Sequence, residues 1–148
     1  MDKKALILVV DDNSECRKLL EWVLELHGFR TISAACGLDA VKLAIDSQPS
    51  LVLMDLSMPD INGHQAARSI HAHRRGRRIP IVAVSTDVAG LDYRYASRDF
   101  KASFVACVGK PWEGEELIQL VTKVLDREVK LHACLQNSLK ARRVLSLV

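Results

Sequence analysis

Five side chains that could take part in chemistry each stand at the end of an apolar run of the chain. The runs are Ala5 to Val10, Leu51 to Met54, Ile79 to Val84 and Phe104 to Val108, and the polar side chains that follow them are Asp11, Asp12, Asp55, Ser85 and Lys110. Such runs are typical of strands buried on both faces of a parallel sheet. Segments of helical periodicity separate them, and right-handed crossovers bring the carboxyl ends of all strands to one rim. We therefore expect three acids, a hydroxyl and a lysine to share one cleft.

The order and spacing of these residues resemble those of the receiver domains of two-component response regulators. The matching residues are the pair Asp11-Asp12, Asp55, the loop Met58-Pro59-Asp60-Ile61-Asn62-Gly63, Ser85 and the pair Lys110-Pro111. The resemblance covers residues 3–127. It implies a flavodoxin-like, doubly wound α/β fold, in which a five-stranded parallel sheet of order 2-1-3-4-5 carries helices on both faces.

The residue types indicate what chemistry such a cleft would support. Three carboxylates that lie close together repel one another and need a cation, and all-oxygen ligands suit Mg²⁺. Asp11, Asp12 and Asp55 are the expected ligands, and the resemblance adds the backbone carbonyl of Ser57. Asp55 would act as a nucleophile on phosphorus and become an aspartyl phosphate. Lys110 would then neutralise the phosphoryl oxygens and Ser85 would donate a hydrogen bond to them.

The resemblance implies a phosphoacceptor that takes a phosphoryl group from a histidine kinase or a histidine phosphotransferase. Since no effector domain is expected after residue 127, the signal would pass through altered binding to a partner protein. One alternative is a Mg²⁺-dependent phosphohydrolase with an aspartate nucleophile, but Ser57 replaces the general-acid aspartate of such enzymes.

The other alternative is an interaction domain that works without phosphorylation. Two departures from the family pattern leave it open. Cys107 stands three residues before Lys110, where the family usually has an aromatic residue that responds to phosphorylation. Thr86 follows Ser85, where the family usually has a small residue, and it could crowd the site.

Composition and charge narrow the class of protein. The chain has 148 residues, of which 49% are hydrophobic, so we expect one core and one domain. Its formal net charge is +3. The basic segment 71–78 lacks interleaved aromatic residues, and we expect no nucleic-acid partner. Without a signal peptide or an apolar stretch of membrane-spanning length, a cytoplasmic protein with no membrane contact is expected. The four cysteines lack metal-ligand spacing and are expected to be reduced and mostly buried.

Helical periodicity places helices after most strands. The first is expected to turn Cys16, Leu19, Leu20, Val23 and Leu26 inward, with Trp22 as a further packing residue. Arg30 to Ala35 is predicted to be an edge strand. Helices are predicted at 38–47 and 64–73, with a short one somewhere within 87–100. A strong helix is predicted at 112–127, with Leu117, Ile118, Val121, Val124 and Leu125 on one side.

The tail at 128–148 is basic and partly apolar. No glycine or proline occurs from Glu115 to the end, so the last helix could continue through it. A disordered end is the alternative. Leu131, Leu135 and Leu139 would continue the apolar stripe, and a bare stripe in water is an association site. We expect the tail to bind a partner or a second copy of the protein.

Overall fold

A parallel sheet of five strands forms the centre of the computed structural model, which describes residues 4–88 and 91–146. The strands are β1 (Leu6–Val10), β2 (Arg30–Ala34), β3 (Leu51–Met54), β4 (Ile81–Ser85) and β5 (Ala106–Gly109). Their spatial order is β2-β1-β3-β4-β5, which confirms the predicted topology. β4 and β5 each begin two residues later than the apolar runs indicated. Lys3, residues 89 and 90, and residues 147 and 148, on which parts of the sequence predictions fall, lie outside the described residues.

Five helices cover the two faces of this sheet. They are α1 (Ser14–Leu26), α2 (Gly37–Ser47), α3 (Gly63–Ala72), α4 (Arg98–Ser103) and α5 (Gly114–Ser146). Successive strand residues point to opposite faces, so β1 sends Leu8 and Val10 into a core with Ala40, Ala66, Ala67 and Ile70 from α2 and α3. Ile7 and Val9 enter a second core, which Leu20 and Leu24 of α1 and Leu117 and Val121 of α5 complete. The prediction of one core was therefore wrong, because a sheet covered on both faces has a core on each face. Helices on both faces explain why the central strands β1 and β3 have no polar side.

The inward face of α1 differs from the prediction. Leu20, Val23 and Leu24 are buried, as expected for the first two, but Leu19 is 50% and Leu26 is 63% exposed. Trp22 is also exposed, so the prediction that it packs inside the protein was wrong. α1 packs on the sheet through a narrow arc, and Leu19, Trp22 and Leu26 lie together on its outer side because they are spaced three and four residues apart.

The segment between β4 and α4 is less helical than predicted. Two 3-10 turns, Thr86–Val88 and Tyr93–Tyr95, precede α4, which spans Arg98–Ser103. Ser97 starts α4, since its side chain accepts a hydrogen bond from the backbone amide of Phe100. The predicted short helix within 87–100 was therefore placed too early, because local capping and not apolar periodicity sets its start.

α5 is longer than a small domain requires. Leu117, Val121 and Val124 are buried against the sheet, and the helix then continues to Ser146. We call residues 128–146 the tail helix. In the part of the chain that the structure describes, no helix has the length and apolar character needed to span a membrane.

The cysteines are free thiols, as predicted, but they are less buried than predicted. Cys16, Cys36 and Cys107 are partly exposed and Cys134 is exposed. Cys134 is exposed because it lies on the tail helix, beyond the two cores.

Candidate functional site

Asp11 and Asp55 lie side by side because they follow two neighbouring strands. Val10 of β1 is in register with Met54 of β3, and the amide of Asp55 donates a 3.0 Å hydrogen bond to the carbonyl of Val10. Asp11 is 1% and Asp55 is 7% exposed, whereas Asp12 is exposed. One carboxylate oxygen from each of the three acids lies within 4.8 Å of the other two. The fold thus gathers the three predicted acids at the carboxyl end of the sheet.

Lys110 reaches this acid cluster from the end of β5. Its Nζ lies 2.6 Å from Asp11 Oδ2 and 3.3 Å from Asp55 Oδ2. Burial acts to lower the pKa of Lys110, but the hydrogen bond and charge of Asp11 and the charge of Asp55 outweigh it, so that pKa is raised. The ammonium group therefore stays charged between the two buried acids.

The environment of Asp55 disfavours its charged form. Desolvation by burial raises its pKa above the usual value, Lys110 acts to lower it, and the charge of Asp11 raises it further. The amide of Ser57 donates a 3.3 Å hydrogen bond to Asp55 Oδ1. A positive charge close to this carboxylate would stabilise its ionised form.

Asp11 is oriented by two groups that follow it in the chain. The amide of Asn13 donates to Asp11 Oδ1 at 2.9 Å, and the Arg17 guanidinium donates to the Asp11 backbone carbonyl at 2.7 Å. Arg17 was not among the residues predicted from the sequence. Its position in the first turn of α1, six residues after a strand-end acid, is the signal that could have drawn attention to it.

Ser85 is nearly fully buried at the end of β4. Its Oγ accepts a 3.3 Å hydrogen bond from the amide of Asp87, which leaves the hydroxyl proton available to a ligand. The carbonyl of Ser85 accepts from the amide of Lys110 at 3.2 Å, so the two predicted site residues lie on adjacent strand ends. Thr86 begins a 3-10 turn and is exposed.

Asp87 is a second residue that the sequence analysis missed. Its Oδ2 accepts a 3.2 Å hydrogen bond from Ser57 Oγ, so it links the loop after β3 to the end of β4. Ser57 and Asp87, together with Met58, His64 and Phe100, line an open cleft of about 540 Å³. An acid two residues after a strand-end hydroxyl belongs to no repeating pattern, so the sequence did not predict it.

The loop after Asp55 is held by glycine, asparagine and aspartate at defined positions. A Cβ on Gly63 would lie 2.3 Å from the Asp55 carbonyl oxygen, so α3 begins against the backbone of the site. Asn62 and Gln65 form a capping box at the start of α3. Asp60 accepts hydrogen bonds from the amides of Gly37 at 3.0 Å and Leu38 at 2.8 Å, which caps α2.

Cys107 is the second residue of β5. It is partly buried and packs against the core beside Tyr93, and desolvation raises its pKa. The Tyr93 hydroxyl donates a 2.7 Å hydrogen bond to the carbonyl of Phe104. Position 107 therefore holds a small thiol, and not the aromatic ring that the resemblance to receiver domains implies.

The acid cluster has the donor set of a Mg²⁺ site. It offers carboxylate oxygens from Asp11, Asp12 and Asp55, with two of the acids buried and one exposed. Hard oxygen ligands with one side open to water match the preference of Mg²⁺, which keeps several of its own water ligands. The residues present therefore fit a hard divalent cation.

The chain is similar to known proteins along most of its length. The family model for the response regulator receiver domain matches residues 7–122. The protein PilH of Pseudomonas aeruginosa is 34% identical over 121 residues, which cover 82% of this chain and 98% of PilH. The regulatory protein AtoC of Escherichia coli K12 is 30% identical over 138 residues, and the chain spans 29% of its length.

A solved structure agrees with these matches. The receiver domain of the sensor histidine kinase PA1611 from P. aeruginosa has a TM-score of 0.74 and 28% identity, covering 84% of this chain and 99% of that domain, and its structure holds a magnesium ion coordinated in the active site cleft. With the sheet order, the acid cluster and these matches together, the chain belongs to the response regulator receiver domain family.

Proposed function

We propose that this receiver domain accepts a phosphoryl group on Asp55. The observation that carries the proposal is the placement of Lys110, whose ammonium bridges Asp11 and Asp55 across the carboxyl ends of the sheet. A buried carboxylate beside a fixed cation and a second acid is equipped to hold a transferred anion. The expected donor is the phosphohistidine of a histidine kinase or a histidine phosphotransferase.

In the transfer, a carboxylate oxygen of Asp55 attacks phosphorus. The new phosphorus–oxygen bond forms as the phosphorus–nitrogen bond to the donor imidazole breaks, and the leaving imidazole takes up a proton from the solvent. Lys110 moves with the charge, from the carboxylates toward the phosphoryl oxygens, and the Ser85 hydroxyl donates to one of them. Hydrolysis of the aspartyl phosphate by water returns the domain to its resting state.

Asp11, Asp12 and Asp55, with the carbonyl of Ser57, are the proposed ligands of Mg²⁺. When bound, the cation offsets the negative charge of the carboxylates and the phosphoryl oxygens. Arg17 and Asn13 keep Asp11 in place by bonding to its carbonyl and its carboxylate. Their role is positional, since neither bonds to Asp55.

The output of the domain is proposed to be altered binding to a partner protein. Asp87 connects Ser57, two residues from the acceptor, to the end of β4, so a phosphoryl group on Asp55 would disturb both loops. Because Cys107 offers no aromatic ring, we propose that the 3-10 turn Thr86–Val88 carries the change instead.

Intact mass measurement after incubation with acetyl phosphate and Mg²⁺ tests the proposal. The parent chain should gain the mass of one phosphoryl group, and Asp55→Asn should not. Asp99→Asn, an exposed acid in the first turn of α4, is the matched control and should be phosphorylated like the parent. An unmodified parent would reject the proposal in favour of a phosphorylation-independent interaction domain, and a modified Asp55→Asn would move the acceptor elsewhere.

A further inference from the structure

The tail helix carries an apolar stripe that no other part of the described chain covers. Leu131 is 48%, Leu135 is 47% and Leu139 is 61% exposed. Their spacing of four residues places them on the face of α5 that buries Leu117, Val121 and Val124 nearer the sheet. A helix segment of this length gains little stability by itself and normally depends on packing of its apolar face.

This stripe borders an open cleft beneath the sheet, at the end where the strands begin. The cleft has a volume of about 790 Å³ and lies between the tail helix and the loops that lead into the strands. Pro49, Ile79 and Pro80 line its domain side, and Leu131, His132 and Leu135 line its helix side. The cleft is at the end of the sheet opposite to Asp55, so an occupant would not cover the acid cluster.

The charges along the stripe are arranged symmetrically about Leu135. Leu131 and Leu139 lie four residues before and after it, while Glu128 and Arg142 lie seven residues before and after it. Seven residues are close to two helical turns, so both charges fall on the stripe itself. Glu128 is partly buried and Arg142 is exposed.

This symmetry fits a second copy of the same helix running in the opposite direction. In an antiparallel pair with a two-fold axis at Leu135, each residue meets the one equally far on the other side of Leu135 in the partner. Leu131 then meets the partner's Leu139, and Glu128 meets the partner's Arg142. A parallel pair would instead place Glu128 against its own copy, which is unfavourable.

Two other basic residues of the tail helix, Lys130 and Lys140, do not oppose such a pairing. Lys130 and Lys140 lie five residues before and after Leu135, which places them on the far side of the helix, facing water. We propose that the tail helix forms an antiparallel homodimer centred on Leu135, in which each copy's helix enters the cleft beneath the other's sheet. The tail helices of the two copies would overlap over residues 128–142, a length of about 22 Å.

Sedimentation equilibrium of the full-length chain tests the pairing. The parent should be a dimer, and Leu135→Asp should be a monomer because it places two carboxylates at the axis. Ala133→Asp puts the same charge on the opposite, exposed side of the helix and should remain a dimer. A monomeric parent, or equal association of the two variants, would overturn the proposal. A monomeric parent that binds vesicles containing phosphatidylserine would replace it with a membrane-surface role.

A charge exchange tests the antiparallel register. Glu128→Arg and Arg142→Glu should each weaken the dimer several-fold, because like charges then face each other twice. An equimolar mixture of the two variants should regain the parent's association, since each substituted position then meets an opposite charge in the other copy. If the mixture associates no better than either variant alone, the antiparallel register is wrong.

Discussion

Lys110 is held more closely by Asp11 than by Asp55. The distance from Lys110 Nζ to Asp11 Oδ2 is 2.6 Å, against 3.3 Å to Asp55 Oδ2. The ammonium thus occupies the gap between a proposed metal ligand and the proposed acceptor. It stabilises the acids in the absence of a cation, and it must shift toward Asp55 when phosphorylation adds charge there.

Lys110→Met should separate metal binding from phosphorylation. Without the ammonium group, Asp11 loses its closest cationic partner, so Mg²⁺ should bind at least as tightly as in the parent. Phosphorylation by acetyl phosphate should slow by on the order of 100-fold, as is usual when a charge-stabilising donor is lost. Calorimetric Mg²⁺ titration and mass measurement over time give the two readings, and Lys42→Met, an exposed lysine on α2, is the control. Weaker metal binding in Lys110→Met would contradict this account of Lys110.

Much of the fold follows from simple patterns in the chain. The apolar run Leu51 to Met54 coincides with β3, since a strand covered by helices on both faces has no polar positions. The inward face of α1 could not be predicted from the pattern of apolar residues. Counting every apolar residue on one side of α1 included Leu19 and Leu26, but the helix packs through an arc too narrow to bury them.

The site also contains residues that the sequence predicted and residues that it did not. Asp11, Asp12 and Asp55 could be found because each follows an apolar run and the sheet order sets two of those runs side by side. Arg17 and Asp87 could not, because their contacts depend on how α1 and the loop after β4 turn back toward the sheet. Such turns depend on single capping contacts, which leave no repeating pattern.

Asp55→Asn should stabilise the domain at neutral pH in metal-free buffer. Burial raises the pKa of Asp55 in the folded state, so folding must keep a charge where the neutral acid is preferred. That cost is fully present above the raised pKa and disappears as the pH falls below the unfolded value of about 3.8. The melting temperature of Asp55→Asn should therefore exceed that of the parent at pH 7, with the gap closing in acid. A lower melting temperature at pH 7 would show that the Lys110 contact outweighs burial.

Asp60→Ala should change the melting temperature in the opposite direction, by lowering it. The amides of Leu38 and Gly37 lower the pKa of Asp60 to about 2, so its charged form stabilises the fold. That contribution is complete above the unfolded pKa of about 3.8 and is lost as the pH falls through about 2. Asp60→Ala should melt below the parent at pH 7, and the difference should shrink between these two values. Asp46→Ala removes another exposed acid; it is the control and should melt close to the parent at pH 7.

Gly63→Ala should damage both stability and the site. The added Cβ would meet the Asp55 carbonyl oxygen at 2.3 Å and the Leu56 Cα at 2.8 Å, and backbone atoms cannot move aside as side chains can. We expect a loss of about 1–3 kcal/mol, as for other overpacked positions, together with slower phosphorylation.

The matched control for this substitution is Gly114→Ala at the start of α5. There the nearest atom, Val23 Cγ1, lies 3.8 Å from the added Cβ, which is ordinary contact. Since alanine is the better helix former, this variant should be neutral or gain up to about 1 kcal/mol. Urea unfolding of both variants provides the comparison. Equal stability of the two would mean that α3 can move away from the strand end that carries Asp55.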